Sequence, residues 1–212
     1  MTAMEALRIG VVVCGLGAAV ALAVQVARAR AFGRRPLYAP AAGSAARGVF
    51  YAFGPGMSPM AKESTRTHPW AYALGVAYHL GVFAAFGYLL LLLIGAERVL
   101  DPAMLPGRAL GVLLFAGVLG GLGLLVRRFT TAHLRGLSVP DDAVANLLTT
   151  GFVALAGARL WSPALEPALL ATAMLLLCYV PLGKIRHCVF FFVSRRHLGR
   201  HFGRRGTFPL RH

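Results

Sequence analysis

The chain has 212 residues, of which 58% are hydrophobic and only 14% charged, and its mean hydropathy is +0.67. A soluble domain of this length is far less apolar, so the composition excludes that class and predicts an integral membrane protein. Lys and Arg outnumber Asp and Glu by 22 to 7, yet the basic residues lie between apolar segments and no nucleic-acid-binding motif accompanies them. The positive-inside rule accounts for such a distribution, and we exclude nucleic acid as a partner.

The first apolar segment predicts a membrane helix over residues 9–27. Glu5 and Arg8 precede it, and after it come Arg28, Arg30, Arg34 and Arg35. A cleaved signal peptide carries its positive charge before the apolar run, so the reversed order predicts an uncleaved span with its N-terminus outside. Residues 29–68 are rich in Gly and Pro, which predicts a loop that can hold a short amphipathic helix at the membrane surface or a docking surface for a soluble partner.

Four further spans are predicted, at residues 70–94, 109–126, 143–160 and 167–193. The second span is uncharged over about 25 residues, which is long enough to cross a hydrocarbon layer of about 30 Å. The third is rich in glycine, which suits close helix packing, and the polar residues of the fourth should face the bundle and bond across helices. The predicted fold class is therefore an all-α integral membrane protein, a bundle of five transmembrane helices in residues 1–193 with a basic tail at 194–212.

The basic residues predict the orientation of this bundle. Segments assigned to the inner side hold eighteen Lys and Arg residues, whereas the outer segments hold only Arg8, Arg98, Arg108 and Arg159. This bias predicts an outer N-terminus and a cytoplasmic C-terminus.

Two histidines stand inside predicted spans. His79 lies about nine residues, roughly 14 Å, from the inner end of its helix, and His187 lies toward the inner end of the fifth span. A buried histidine can simply be neutral and bonded to a carbonyl of a neighbouring helix. Two imidazoles at a similar level, with no carboxylate nearby, instead suit the axial ligands of a b-type haem.

The residues next to each histidine are compatible with a macrocycle. Gly75 and Gly183 lie four residues before His79 and His187, where a missing side chain leaves room for a porphyrin face. Lys184 and Arg186 could pair with haem propionates, or they could be ordinary basic residues that reach the inner membrane surface.

Other metal centres are excluded by the cysteines. Cys14, Cys178 and Cys188 all lie in apolar segments and form neither a C-x-x-C pair nor a C-x-x-C-H haem attachment motif. An iron–sulfur cluster, a structural zinc or a covalent haem cannot be built from them, so such a centre would belong to a partner protein.

The chain resembles the membrane cytochrome b (gamma) subunit of respiratory nitrate reductase and related membrane cytochromes b associated with heterodisulfide reductase. The resemblance covers about helices two to five. It rests on Tyr78-His79-Leu80-Gly81, on the loop from Arg127-Arg128-Phe129-Thr130 to Pro140-Asp141-Asp142, and on Lys184-Ile185-Arg186-His187 with the basic tail.

In that family four histidines ligate two stacked b haems. The resemblance implies that His79 and His187 match the pair for the inner haem, whereas Leu89 and Leu169 stand where the outer pair is expected. Both outer ligands are missing together, so we expect one haem b per chain. A second haem held by His68 with His197 or His201 is the alternative.

The family's role implies that the chain passes electrons between membrane quinone and a cytoplasmic iron–sulfur subunit, and that it is not catalytic alone. The expected partner is heterodisulfide-reductase-like or nitrate-reductase-beta-like, the quinone menaquinone or ubiquinone, and the location a bacterial or archaeal cytoplasmic membrane. The quinone pocket is not identified, and candidate aromatic residues are Tyr78, Phe83, Phe86 and Phe190 to Phe192. Residues from Ser194 onward could dock the partner or bind lipid headgroups.

Two functions of other classes remain. A haem-free membrane anchor or assembly subunit would have the same five spans. A small transporter is disfavoured because no acidic residue lies inside a predicted span and no inverted repeat is evident.

Overall fold

The structure of the protein is a computed structural model that describes residues 1–33 and 39–209. Its described part is helical and contains no strand. Arg34, Arg35, Arg211 and His212, which were counted among the inner charges or in the tail, lie outside the described residues. The α-helices of the described part are α1 (Ala3–Ala31), α2 (Ala45–Phe53), α3 (Glu63–Thr67), α4 (Pro69–Leu93), α5 (Leu105–Thr130), α6 (Ala132–Gly136), α7 (Pro140–Trp161), α8 (Glu166–Tyr179) and α9 (His187–Arg204).

Four of these helices are long and apolar enough to cross a membrane, namely α1, α4, α5 and α7. They confirm helices at the first four predicted spans; α1, α5 and α7 are longer than predicted, and α4 has the predicted length of 25 residues. A fifth span exists only if the segments Pro163–Tyr179 and Lys184–Arg204 are counted together. Length and composition thus indicate a multi-pass membrane protein.

The predicted fifth helix, 167–193, is not continuous. Helix α8 ends at Tyr179, a turn follows in which Leu182 and Gly183 both donate to the Tyr179 carbonyl, and α9 begins only at His187. Pro181 explains the interruption, because proline lacks the amide hydrogen that a helix interior requires and crowds the preceding turn.

The chain folds as two compact units. The first contains Met1–Ala19 and Trp70–Ile185, and the second contains Val20–Pro69 and Arg186–His212. Helix α1 begins in the first unit and ends in the second.

The first unit is built around one apolar cluster to which α1, α4, α5, α7 and α8 all contribute. Its largest fully buried side chains are Tyr88, Phe152, Leu92, Leu114, Leu169, Leu170, Leu176 and Val153. Glycines allow the closest approach, since a Cβ on Gly81 of α4 would lie 2.5 Å from the Gly117 Cα of α5. The prediction that the α5 glycines serve close packing is confirmed at this contact.

The polar residues of α7 face the bundle, as predicted. The Asn146 Nδ2 group donates to the Gly121 carbonyl of α5 over 3.1 Å, and the Tyr78 hydroxyl of α4 donates to the Asn146 carbonyl over 3.3 Å. Thr149 is buried as well, but its hydroxyl bonds within its own helix, to Ala145. Bonds across helices are made by Asn146 and also by Thr150, whose hydroxyl donates to the Tyr78 hydroxyl over 3.5 Å, and they tie α7 to α4 and α5.

The second unit is organised by the packing of α2 against α9. Gly48 of α2 faces Gly199 and Gly203 of α9 so closely that a Cβ on any of the three would collide with the backbone of the other helix. The Ser44 side chain caps α2 by accepting from the Arg47 amide. Helix α2 is a short helix of the kind expected within residues 29–68, and the beginning of the predicted tail, at 194, continues α9 without a break.

Candidate functional site

His79 is held in one tautomer by its own helix. Its Nδ1 atom lies 2.7 Å from the Gly75 carbonyl oxygen, one turn earlier in α4. A carbonyl oxygen can only accept, so Nδ1 carries the proton and donates, and a neutral ring then has its lone pair on Nε2. Metal-ligating histidines typically use this arrangement, because the second hydrogen bond orients the ring for the metal. His79 is exposed on the first unit, so the ring is accessible to a bound group.

The two glycines that precede the histidines differ in their surroundings. A Cβ on Gly75 would meet no atom within 4 Å, so the space expected beside it is present. At Gly183 the Tyr179 ring occupies the position that a Cβ would take. Gly183 is thus explained by packing against Tyr179, whose hydroxyl donates to an Asp141 carboxylate oxygen.

Lys184 belongs to an ion-pair cluster that the sequence analysis did not foresee. Its ammonium lies 2.6 Å from Asp142 Oδ1, and the Arg128 guanidinium lies 3.2 Å from Asp142 Oδ2. The Asp142 side chain is 8% exposed, and it also accepts from the Val139 amide at the start of α7. The cluster therefore gives Lys184 a carboxylate partner from this chain, where a haem propionate or the membrane surface was expected.

Two of the three segments on which the resemblance rests supply this cluster, namely the loop that ends in Pro140-Asp141-Asp142 and the segment that begins at Lys184. Asp141 accepts from the Lys184 amide over 3.0 Å, so both aspartates of Pro140-Asp141-Asp142 contact the segment that leads to His187. The available signal for these contacts in the sequence was the opposite charge of Asp141 and Lys184, which are 43 positions apart. Sequence spacing alone does not reveal that such residues are neighbours.

Arg186 and His187 lie in the second unit, where His187 is the first residue of α9 and is exposed. His79 lies in the first unit. The pairing of the two imidazoles therefore stays a prediction from the sequence. His68, His197 and His201 also belong to the second unit, and a second haem on them likewise stays untested.

Leu89 and Leu169, which stand where the resemblance implies ligands for an outer haem, both belong to the core of the first unit. They are 4% and 0% exposed, in the cluster that contains Tyr88 and Phe152. These two positions thus contribute apolar packing to the bundle.

The candidate quinone aromatics have different environments. Tyr78 bonds to Asn146, and Phe86 packs against Phe152 with ring centroids 4.9 Å apart. Phe83 is 68% exposed and its ring centroid lies 6.4 Å from that of His79. Of these three residues, Phe83 is the one both beside His79 and accessible.

A buried polar network around Glu166 was also missed by sequence reasoning. Glu166 is 6% exposed and accepts from Arg8 over 2.6 Å and from Arg159 over 2.8 Å. Arg159 also donates to the Tyr88 hydroxyl over 2.9 Å. The network joins α1, α4, α7 and α8, and its signal in the sequence was an acidic residue directly at the start of an apolar run.

Comparisons with family models, with curated proteins and with solved structures found no match to this chain. Within the part of the chain that the structure describes, no group of three or more His, Cys, Asp or Glu residues could hold a metal ion. A bis-histidine haem needs only two protein ligands, so the absence of a larger group of such residues does not bear on it. The fold defines the class of an all-helical multi-pass membrane protein.

Proposed function

We propose that this chain is a membrane cytochrome b subunit that passes electrons between membrane quinone and a cytoplasmic iron–sulfur protein through a single haem b. His79 and His187 would hold the haem iron. The observation that carries the proposal is the hydrogen bond from His79 Nδ1 to the Gly75 carbonyl, because metal-ligating histidines typically donate their other ring nitrogen in this way, and a Cβ on Gly75 would meet no atom within 4 Å.

The residues of the chain have distinct roles in this proposal. A bis-histidine haem b supplies one-electron transfer when bound. Gly75 orients the His79 ring through its carbonyl, and Asp141 and Asp142 hold Lys184, three residues before His187. Lys184 pairs with Asp142, so the proposal assigns contact with a propionate to Arg186. Phe83, exposed beside His79, is a contact for a quinone ring.

The proposed orientation is an outer N-terminus and an inner C-terminus, supported by the distribution of Lys and Arg. It brings the haem ligands to the inner half of the membrane, close to the expected iron–sulfur partner. Quinone then exchanges its protons on the cytoplasmic side, and electron transfer generates little membrane potential. Vesicles with a pH probe on one side test this, and proton release on the outer side would contradict it.

The decisive experiment is a reduced-minus-oxidised spectrum of the purified chain from cells supplied with haem. We expect a sharp α band and one haem per chain by extraction. His79→Ala and His187→Ala should each abolish the band, whereas the matched variant His133→Ala, in α6, should retain it. A haem-free wild-type protein from such cells, or a spectrum that survives both substitutions, contradicts the proposal.

The haem-free anchor is the second candidate, and one observation favours it. Two of the residues expected at the haem have partners within the chain, since Gly183 packs against Tyr179 and Lys184 pairs with Asp142. An anchor retains its soluble partner after His79→Ala, and copurification in mild detergent distinguishes it from a cytochrome.

A further inference from the structure

The second unit is a strongly basic body. Fourteen of the 22 Lys and Arg residues fall within its ranges, against one acidic residue, Glu63. Five arginines lie from the middle of α9 to the residue after its end, namely Arg195, Arg196, Arg200, Arg204 and Arg205. A surface of this charge attracts anions from solution or from a neighbouring surface.

Aromatic residues occupy one end of the α2–α9 pair. The two helices are antiparallel, because Gly48 meets Gly203 while Phe53 at the end of α2 meets Phe191 and Phe192 near the start of α9. Phe53 stacks on Phe192 with ring centroids 6.2 Å apart, and Phe192 remains 61% exposed. This end of the pair therefore presents apolar rings.

The arginines follow the aromatic end along the helix axis. Arg196 and Arg200 are exposed and stand four and eight residues after Phe192, which is roughly 6 and 12 Å at the rise of an α-helix. The Arg195 guanidinium lies 5.7 Å from the Phe191 ring centre. Headgroups add about 10–15 Å in total to a hydrocarbon core of about 30 Å, or about 5–8 Å in each leaflet. Arg196 therefore stands at the depth of the polar layer, and Arg200 stands at its aqueous edge.

We propose that the α2–α9 pair binds anionic phospholipid, with Phe53 and Phe192 at the acyl-chain boundary and Arg196 and Arg200 on the lipid phosphates. The exposed phenylalanines favour lipid over an acidic protein, because rings beside arginines match both layers of a membrane surface. The connections of the chain also favour lipid as the occupant. The unit contains the second half of α1, and Pro69, the last residue of its range Val20–Pro69, begins α4. Lipid binding at this surface is independent of haem.

The first test counts lipids retained by the full chain in detergent, offered equal phosphatidylglycerol and phosphatidylcholine, by native mass spectrometry. The wild-type protein should retain phosphatidylglycerol preferentially, and Arg196→Gln with Arg200→Gln should reduce that preference about tenfold. The matched control is Arg98→Gln with Arg108→Gln, which removes two exposed arginines from the first unit. It should leave the preference unchanged.

The second test locates the aromatic end. Phe192→Trp adds an indole whose emission, after subtraction of the wild-type signal, should be quenched in nanodiscs made with acyl-brominated lipid. Absence of quenching, absence of a phosphatidylglycerol preference, or equal losses in both double variants would overturn the proposal. One further result would overturn the proposal. If the variant Arg196→Gln with Arg200→Gln keeps its lipid preference but loses a copurifying soluble protein, the surface binds that partner and not lipid.

Discussion

The two units of the chain differ in how they carry charge. The first has eight Lys and Arg residues and six acidic ones, and the buried members of this set form ion pairs with each other. The second has fourteen basic residues and one acidic. A bundle that spans hydrocarbon must neutralise the charges it buries, whereas a surface unit can display its charge to a partner.

Both units use glycine for close helix contact, but with different support. In the first unit Gly81 and Gly117 approach each other beside a large apolar core. In the second unit, α2 approaches α9 most closely at the three glycines Gly48, Gly199 and Gly203. The other buried residue of α2 is Ala52, which is small. We therefore expect substitution of these glycines in the second unit to destabilise the protein more than substitution of exposed residues in the first unit.

The largest stability effect should come from Arg159→Leu in the first unit. This change leaves the buried Glu166 carboxylate with Arg8 alone and removes the donor to Tyr88, so we expect a loss of about 3–5 kcal/mol in the free energy of unfolding. Thermal unfolding in detergent measures it. Arg108→Leu, at an exposed arginine of the same unit, is the control. Equal melting temperatures for the two variants would show that the network does not stabilise the bundle.

The second largest effect should come from Gly203→Ala. A Cβ here would lie 2.5 Å from the Ser44 carbonyl and 2.7 Å from the Gly48 Cα, and a backbone cannot move aside as a side chain can. We expect a cost of about 1–3 kcal/mol, confined to the second unit and visible as faster amide exchange in α2. Gly87→Ala is the matched control, because nothing lies within 4 Å of a Cβ there. Unchanged exchange in α2 would rule out the glycine contact.

Local patterns predicted the first four spans because each is long, apolar and bounded by charges. They predicted one continuous fifth helix because the apolar residues resume after Pro181, and they did not weigh the backbone cost of that proline. The tail appeared separate because Gly199 and Gly203 are informative only once α2, some 150 residues earlier, is known to pack on them.

The contacts of the candidate site could be predicted from the sequence only where they join residues that are close together in the chain. His79 and Gly75 are one helical turn apart, so their contact follows from the sequence. The partners of Lys184 and Gly183 come from other turns or other helices, and spacing does not identify them. The pairing of His79 with His187 is likewise a long-range relation and remains to be tested by the haem spectrum.

A smaller effect is expected for Asp142→Asn. The ion pairs with Lys184 and Arg128 weaken, but both of these side chains are more than a third exposed, so we expect a loss of only about 1 kcal/mol. Asp101→Asn, at an exposed aspartate before α5, is the control. If the haem is present, Asp142→Asn should also shift its α band or midpoint potential, whereas a purely local role leaves the spectrum unchanged.

The smallest effect is expected for a cross-link that tests whether the beginning of α1 packs on α8. The Cys14 and Cys178 sulfur atoms lie 3.6 Å apart between α1 and α8, and both thiols are free. A mild two-electron oxidant should remove two electrons and two protons to join them, with little change in unfolding temperature, and peptide mass mapping identifies the product. Cys14→Ser should abolish the cross-link, while Cys188→Ser, in the second unit, should not. A Cys14–Cys188 product would instead mean that the beginning of α1 does not pack on α8, and the division between the two units would have to be redrawn.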